Sequence, residues 1–346
     1  MPAAVADRPD RKHCRDGRVV LYGMPMTPDT RIYVAGHRGL AGSALVRALK
    51  ARGFANIIAR THAEVDLLDP GAVAALFNSQ KPEVVFLAAA KVGGILANST
   101  YPAEFIQDNL LIQTNVIHEA WRAGVTRLMF LGSSCIYPRE CPQPIHEDYL
   151  LTGPLEPTNR PYALAKIAGI EMCWAYSRQY GTQYLCAMPT NLYGPGDHYN
   201  LATSHVLPAM IRRFHEAKAS GAESVTLWGT GAPRREFLYS EDMAAACVHL
   251  MALPPERLPA LVNDQQPPLI NVGSGVDLTI RELAELIRSI IGAEVSIKWD
   301  SSKPDGTPRK LLDISKLSAL GWRPTVALED GIRRAYADFL RLTEQA

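Results

Sequence analysis

Arg31-Ile32-Tyr33-Val34-Ala35-Gly36-His37-Arg38-Gly39-Leu40-Ala41-Gly42-Ser43 is the stretch whose reading decides the fold. A short β-branched and aromatic run ends in glycine. From Ser43 to Arg52 the apolar residues Ala44, Leu45, Ala48 and Leu49 then recur at helical spacing. A strand passing through three glycines into a helix opens a βαβ unit in which each glycine has a task. The chain must turn sharply, its backbone must approach a pyrophosphate, and the helix must pack closely on the strand. The first amides of the helix offer N–H groups and a partial positive charge to the phosphates. Gly36, His37, Arg38, Gly39, Leu40, Ala41 and Gly42, spaced G-x-x-G-x-x-G, are therefore the candidate dinucleotide loop.

The pattern continues outward from that loop. Strands are expected at 56–59, 83–88, 127–131 and 184–188, and helices at 70–79, 105–123 and 162–180. Glu83-Val84-Val85-Phe86-Leu87-Ala88 shows no polar alternation within its apolar run, as in a strand covered on both faces. Strands alternating with helices imply an α/β fold, a doubly wound parallel sheet with right-handed crossovers. Beyond Thr190 the pattern loosens into Gly/Pro-rich loops. With 346 residues the chain is expected to hold two domains. They are a Rossmann domain over 31–190 and a smaller α/β substrate domain over 191–346, with part of 236–275 returning to the first. Residues 1–30 are expected to be a flexible tail.

Composition removes several function classes. Lys and Arg number 36 against 35 Asp and Glu, so no global field draws the chain to nucleic acid or to an anionic membrane. No apolar run reaches the roughly 18–20 residues of a membrane span. The six cysteines form no C-x-x-C pair and no zinc spacing with histidine. Reduced thiols, a cytoplasmic location and no metal are the expectation.

The second strand bears on the cofactor. It ends Ala59-Arg60-Thr61-His62, without the carboxylate that holds a ribose 2′-OH in NAD enzymes. Arg38, Arg60 and His62 instead suit a 2′-phosphate, which favours NADP. Further on, Tyr162-Ala163-Leu164-Ala165-Lys166 places a phenol and an ammonium on one helix face. A phenol titrates near ~10 and needs a neighbouring cation to move protons at neutral pH. This helix follows a strand that ends Leu131-Gly132-Ser133-Ser134-Cys135 at the ligand-binding edge of such a sheet. If the backbone stays extended there, Ser133 and Cys135 share a face and Ser134 points away.

The glycine loop, Ser133 and the Tyr162/Lys166 pair resemble the extended short-chain dehydrogenase/reductase family. Longer strings are similar to its branch of epimerase-reductases acting on GDP-4-keto-6-deoxy-D-mannose. They are 88–95 (AAAKVGGI), 131–138 (LGSSCIYP), 155–159 (LEPTN), 188–195 (MPTNLYGP), 204–206 (SHV) and 303–310 (KPDGTPRK). The resemblance covers residue 31 to about the C-terminus. It implies inversion at C3 and C5 followed by NADPH reduction at C4, giving GDP-L-fucose. It also implies catalytic roles for Tyr162, Lys166 and Ser133, with Cys135 and His205 as the proton-transfer pair of the epimerase. Cofactor contacts are implied for the glycine loop, Arg60, His62, Asp66, Leu67, Leu131, Gly132, Ser133, Ser134, Lys166, Pro189, Thr190, Asn191, Leu192 and His205. Substrate contacts are implied for Arg213, Trp228, Arg235 and Asp305, and a homodimer is the implied assembly. Two positions depart from the branch: His62 where arginine is frequent, and Tyr239 where histidine is common. A different nucleotide-sugar epimerase or dehydratase of the family is the alternative enzyme. A non-catalytic dinucleotide sensor has no use for a tuned phenol.

Overall fold

The computed structural model describes Lys12–His13, Val19–Val20 and residues 26–344 apart from 202 and 304. The expected tail over 1–30 lies largely outside the described residues, as does Cys14. Within it, Lys12–His13 and Val19–Val20 form a short antiparallel ladder.

The main sheet contains β1 (Ile32–Ala35), β2 (Ile57–Ile58), β3 (Val84–Leu87), β4 (Arg127–Leu131), β5 (Gln183–Pro189) and, much later in the chain, β9 (Leu269–Val272). All six run parallel, in the order β2-β1-β3-β4-β5-β9. Helices α1 (Leu40–Ala51), α2 (Pro70–Gln80), α4 (Pro102–Arg122), α5 (Arg160–Tyr180) and α7 (Ser240–Met251) cover it, and a short α3 (Ile95–Thr100) follows β3. Alternate residues of one strand supply different cores. Ile32 and Val34 join one cluster with α1 and α7, while Tyr33 and Ala35 join another with α2, α4 and α5. Burial on both faces is why the strands read as unbroken apolar runs.

Element boundaries follow local chemistry. α4 and α5 begin a few residues earlier than periodicity alone suggests, each with a proline in its first turn. α5 stops at Gly181, which takes the left-handed conformation at φ +71°. The second strand shortens to Ile57–Ile58 because it is the sheet's edge and only half-buried.

After β5 the chain forms β6 (Asn191–Tyr193), α6 (Val206–Ser220), β7 (Ser224–Trp228) and β8 (Arg234–Tyr239). Beyond β9 come β10 (Asp277–Thr279), α8 (Ile280–Ile291), β11 (Ser296–Asp300), β12 (Arg309–Lys310), α9 (Ser315–Ala319) and α10 (Leu328–Glu344). β8 pairs in parallel with β6 and β12 and antiparallel with β10, and β7 pairs with β11. A third core gathers α6, α8 and α10 around these strands.

The order of the main sheet reverses between β1 and β3, so a crevice opens beyond their carboxyl ends, where such sheets bind ligands. Gly36 (φ +82°) turns the chain there, and a Cβ on it would lie 2.7 Å from the Ala89 backbone. A Cβ on Gly42 would overlap the Gly36 carbonyl oxygen. Gly42→Ala should accordingly destabilise the fold by about 1–3 kcal/mol, the range for overpacking a tight contact. A urea-unfolding midpoint equal to that of the parent chain would contradict this.

Candidate functional site

The crevice beyond β1 and β3 is built by backbone. α1 has Gly39 at its N-cap and no capping side chain, so its first amides are available to an anion. His37 Nδ1 is buried without a hydrogen-bond partner in the same loop. Close backbone approach, uncapped amides and an orphaned ring nitrogen fit a dinucleotide diphosphate.

The three basic residues near the ribose end are not equivalent. Arg60 Nη1 donates to Ala59 O at 2.8 Å and Nη2 to Gln80 Oε1 at 3.0 Å, so its guanidinium is held against the end of α2. Arg38 is exposed. The His62 side chain is 80% exposed and lies 3.5 Å from Asp66 Oδ1. Asp66 Oδ1 also accepts from the Leu68 amide, and Leu67 packs its side chain on the core.

At the end of β4 the extended backbone does not persist. The strand stops at Leu131, and residues 134–136 form a 3₁₀ turn capped by Ser133. Alternation therefore gives the wrong reason for pairing Ser133 with Cys135. The turn relates them instead, through a bond from the Cys135 amide to Ser133 Oγ at 3.4 Å, and Ser134 is buried rather than turned outward. Ser133 also hydrogen-bonds Tyr162, which opposes the strong upward push of burial on that phenol. Lys166 Nζ donates to Leu131 O at 2.8 Å and sits 4.7 Å and 5.8 Å from the ring centres of Phe130 and Tyr162. Burial pulls its pKa down to about 8. Gly132 carries the chain from Leu131 to Ser133; a Cβ there would overlap Met188. Pro189 ends β5, and beyond it Thr190 Oγ1 and Asn191 Nδ2 both donate to Glu236 O. Leu192 is half-buried against the core.

Cys135, 6% exposed, lines a pocket with Arg139, Glu156, Asn159, Thr307 and Lys310. Burial raises the thiol pKa. The strongest opposing influence is the Lys310 ammonium, ahead of Ser133 and Lys166. Lys310 is thus the leading charge that favours the thiolate. His205 comes from another element, the N-cap of α6, where its residue surface is exposed. Crowding by neighbouring atoms and the charge of His198 lower its pKa. The preceding loop is tied to the β3–α3 connection by the Gly94 amide donating to Thr203 O at 3.3 Å.

The residues implied for substrate stand apart in their engagement. Burial lowers the Arg235 pKa, opposed by the charges of Asp305 and Glu156. Asp305 accepts from the Thr230 amide at 2.7 Å and from Thr230 Oγ1 at 2.8 Å, so its carboxylate fastens two loops together. Trp228 is 60% exposed, with Lys303 Nζ 5.5 Å from its ring centre. Arg213 is half-buried on α6. Among the described residues no three His, Cys, Asp or Glu side chains gather as a metal site.

The pattern of the NAD dependent epimerase/dehydratase family matches residues 32–263. The chain belongs to that family. It is 56% identical over 311 residues to GDP-L-fucose synthase 1 of Arabidopsis thaliana, covering 90% of this chain and 93% of the relative. It is 53% identical to GDP-L-fucose synthase of Escherichia coli (strain K12), covering 90% and 96%. The crystal structure of a GDP-L-fucose synthetase from Naegleria fowleri bound to NADP superposes with a TM-score of 0.81 at 26% identity, covering 93% and 98%.

Reading residue types along the chain assigned no role to Arg139, Glu156, Asn159 or Lys310. Glu156, Asn159 and Lys310 stand in two of the quoted strings, but Asn159 and Lys310 are 151 positions apart in sequence and only the tertiary fold places them in one pocket. The signal for Lys310 was a cation directly before the apolar pair Leu311-Leu312. Since that ammonium favours the thiolate, Lys310→Met should raise the Cys135 pKa. The rate of iodoacetamide modification at Cys135, followed by peptide mass, should fall and its pH midpoint move upward. An unchanged midpoint would detach Lys310 from the thiol.

Proposed function

We infer that this chain is an NADPH-dependent epimerase-reductase that converts GDP-4-keto-6-deoxy-D-mannose to GDP-L-fucose by inversion at C3 and C5 and reduction at C4. The observation that carries the reading is a thiol beside the Ser133–Tyr162–Lys166 group, in a pocket that also holds the half-buried Lys310. A reductase alone needs the hydroxyls and the lysine. A second acid–base group next to them serves carbon–hydrogen chemistry.

The proposed mechanism starts from the C4 carbonyl, which acidifies the hydrogens at C3 and C5. Tyr162 and Ser133 donate hydrogen bonds to O4 and stabilise the negative charge that develops there when a proton leaves. Cys135 and His205 remove and return protons on opposite faces of the ring. Burial favours the protonated thiol, and crowding together with the charge of His198 favours a neutral His205, so both shifts favour a pair without net charge. A thiolate formed during turnover faces the ammonium groups of Lys310 and Lys166. When bound, NADPH supplies the hydride to C4. Tyr162 then delivers the proton to O4, and Lys166 orients the phenol and the cofactor ribose. The glycine loop with His37 holds the diphosphate, and exposed Arg38, with Arg60 and His62 after the second strand, suits the 2′-phosphate. Asp66, Leu67, Leu131, Ser134 and residues 189–192 complete that side. Arg213 and Arg235 suit the GDP diphosphate because guanidinium forks match its oxygens. Trp228 offers an exposed ring to the guanine, and Asp305 keeps the loop beneath it in place.

Two further expectations belong to this reading. No helix among the described residues is long and apolar enough to cross a membrane, and the described cysteines are free thiols, which supports a cytoplasmic location. α4 and α5 pack together, expose Leu111 and Leu164, and carry a cluster formed by His118, Trp121, Tyr176 and Tyr180. That face supports a homodimer, which light scattering should report as twice the 37.9 kDa chain mass; a monomer at micromolar concentration would refute it.

Tyr162→Phe removes the proton donor and keeps the ring, so NADPH oxidation with the keto sugar should fall about 10²-fold. Cys135→Ser should separate the two chemistries. In D₂O little deuterium should enter C3 or C5, while slow reduction of the uninverted ketone continues. Normal GDP-L-fucose from Cys135→Ser at the parent rate, read by NMR, would return that thiol to the packed core.

A further inference from the structure

The pocket beside Cys135 contains two acceptor oxygens without a hydrogen bond, one of which faces the Arg139 guanidinium in an ion pair. Asn159 Oδ1 and Glu156 Oε2 are both buried and both lack a hydrogen bond. Asn159 stands at the N-cap of α5, where an asparagine ordinarily accepts from an amide of the first turn. Its side chain makes no such bond, and Pro161 has removed one of the amides it could cap. The helix start is thus arranged to leave this amide oxygen uncommitted, three residues before Tyr162. Glu156 has an ion pair but no close hydrogen bond. Its Oε2 is 3.4 Å from Arg139 Nε without hydrogen-bond geometry, and its Oε1 takes only a long 3.4 Å contact from Thr158 Oγ1.

Buried acceptors without donors are unfavourable unless a ligand supplies the missing hydrogens. Water aside, a group that offers hydrogens to two neighbouring oxygens and still accepts from an ammonium is a pair of hydroxyls. We propose that Asn159 and Glu156 accept the hydroxyl protons at C2 and C3 of the sugar ring, and so select a hexose that carries both hydroxyls over a deoxy sugar. This rests on the reading that the pocket receives a GDP-linked keto sugar, because it is Cys135 that places C3 and its neighbour here. Lys310, on the same wall, donates to the oxygens of those hydroxyls.

The test crosses two variants with two substrates. Asn159→Ser keeps a side chain able to cap α5, and Glu156→Gln keeps the shape of the acid. Each is assayed for NADPH oxidation with GDP-4-keto-6-deoxy-D-mannose and with its 3-deoxy analogue. For at least one variant, kcat/KM for the parent sugar should fall about tenfold or more, the worth of a buried hydrogen bond, with little further loss on the deoxy analogue. Equal losses on both sugars from both variants, or no loss on the parent sugar, would overturn the proposal. If the unaltered chain oxidises no NADPH with the parent sugar, the functional reading fails instead. Calorimetry with GDP-mannose and GDP-3-deoxymannose then decides the pocket separately. A preference for the hydroxylated ligand that disappears in either variant supports it, and equal affinities overturn it.

Discussion

Glu236 is the interaction on which the rest of the architecture depends. It lies on β8 and has no exposed surface. Its Oε1 accepts from the Gly275 amide at 2.7 Å, and its Oε2 from the Leu312 amide at 3.0 Å. Its carbonyl oxygen takes Thr190 Oγ1 and Asn191 Nδ2. One residue thus joins the end of β5, the loop after β9 and the strand leading from Lys310. Burial raises the carboxyl pKa, and the amide donors offset that push. A Cβ on Gly273 would overlap Glu236 Oε1, so the neighbouring chain is shaped to admit the acid. Arg235, next in sequence, then has its position toward the pocket set by the same strand, and so does Lys310 through Leu312.

The first half of the chain was legible because its local and tertiary signals agree. Val84–Leu87 is apolar at every position, is buried on both faces, and lies inside a parallel sheet. The glycine loop was legible for the same reason, since its conformation and its task require the same residue. Agreement fails just past Leu131. Ser133 favours an N-cap over continued strand, and the 3₁₀ turn that follows changes which side chains face each other. The second half was less legible because its sheet is made of short strands distant in sequence. β8 gathers β6, β10 and β12, and each of the three contacts is only two or three residues long. No periodicity reveals such pairing. The orphaned oxygens of Glu156 and Asn159 were invisible to sequence for a different reason, because a missing partner is a property of three-dimensional placement.

The pocket's electrostatics have a common direction. Burial raises Cys135 and Tyr162 and lowers Lys166, Lys310 and Arg235, in each case as the leading influence. Every shift favours the uncharged form, which is what a low-dielectric site does to ionisable groups that have not met their charged partner. Such a site is poorly suited to a neutral ligand. It is well matched to one that brings a diphosphate and then develops negative charge on a carbonyl oxygen, because each added charge favours the ammonium form of the lysines and is stabilised in return. In water the attraction of the same ammonium groups for an enolate would be weak. The walls that exclude solvent therefore do the same work as the charged groups. Packing of α5 on β4 belongs to the chemistry for that reason: a Cβ on Gly169 would approach the Phe130 ring to 2.5 Å, and this close fit is what brings the Lys166 ammonium against the Leu131 carbonyl and beneath Tyr162.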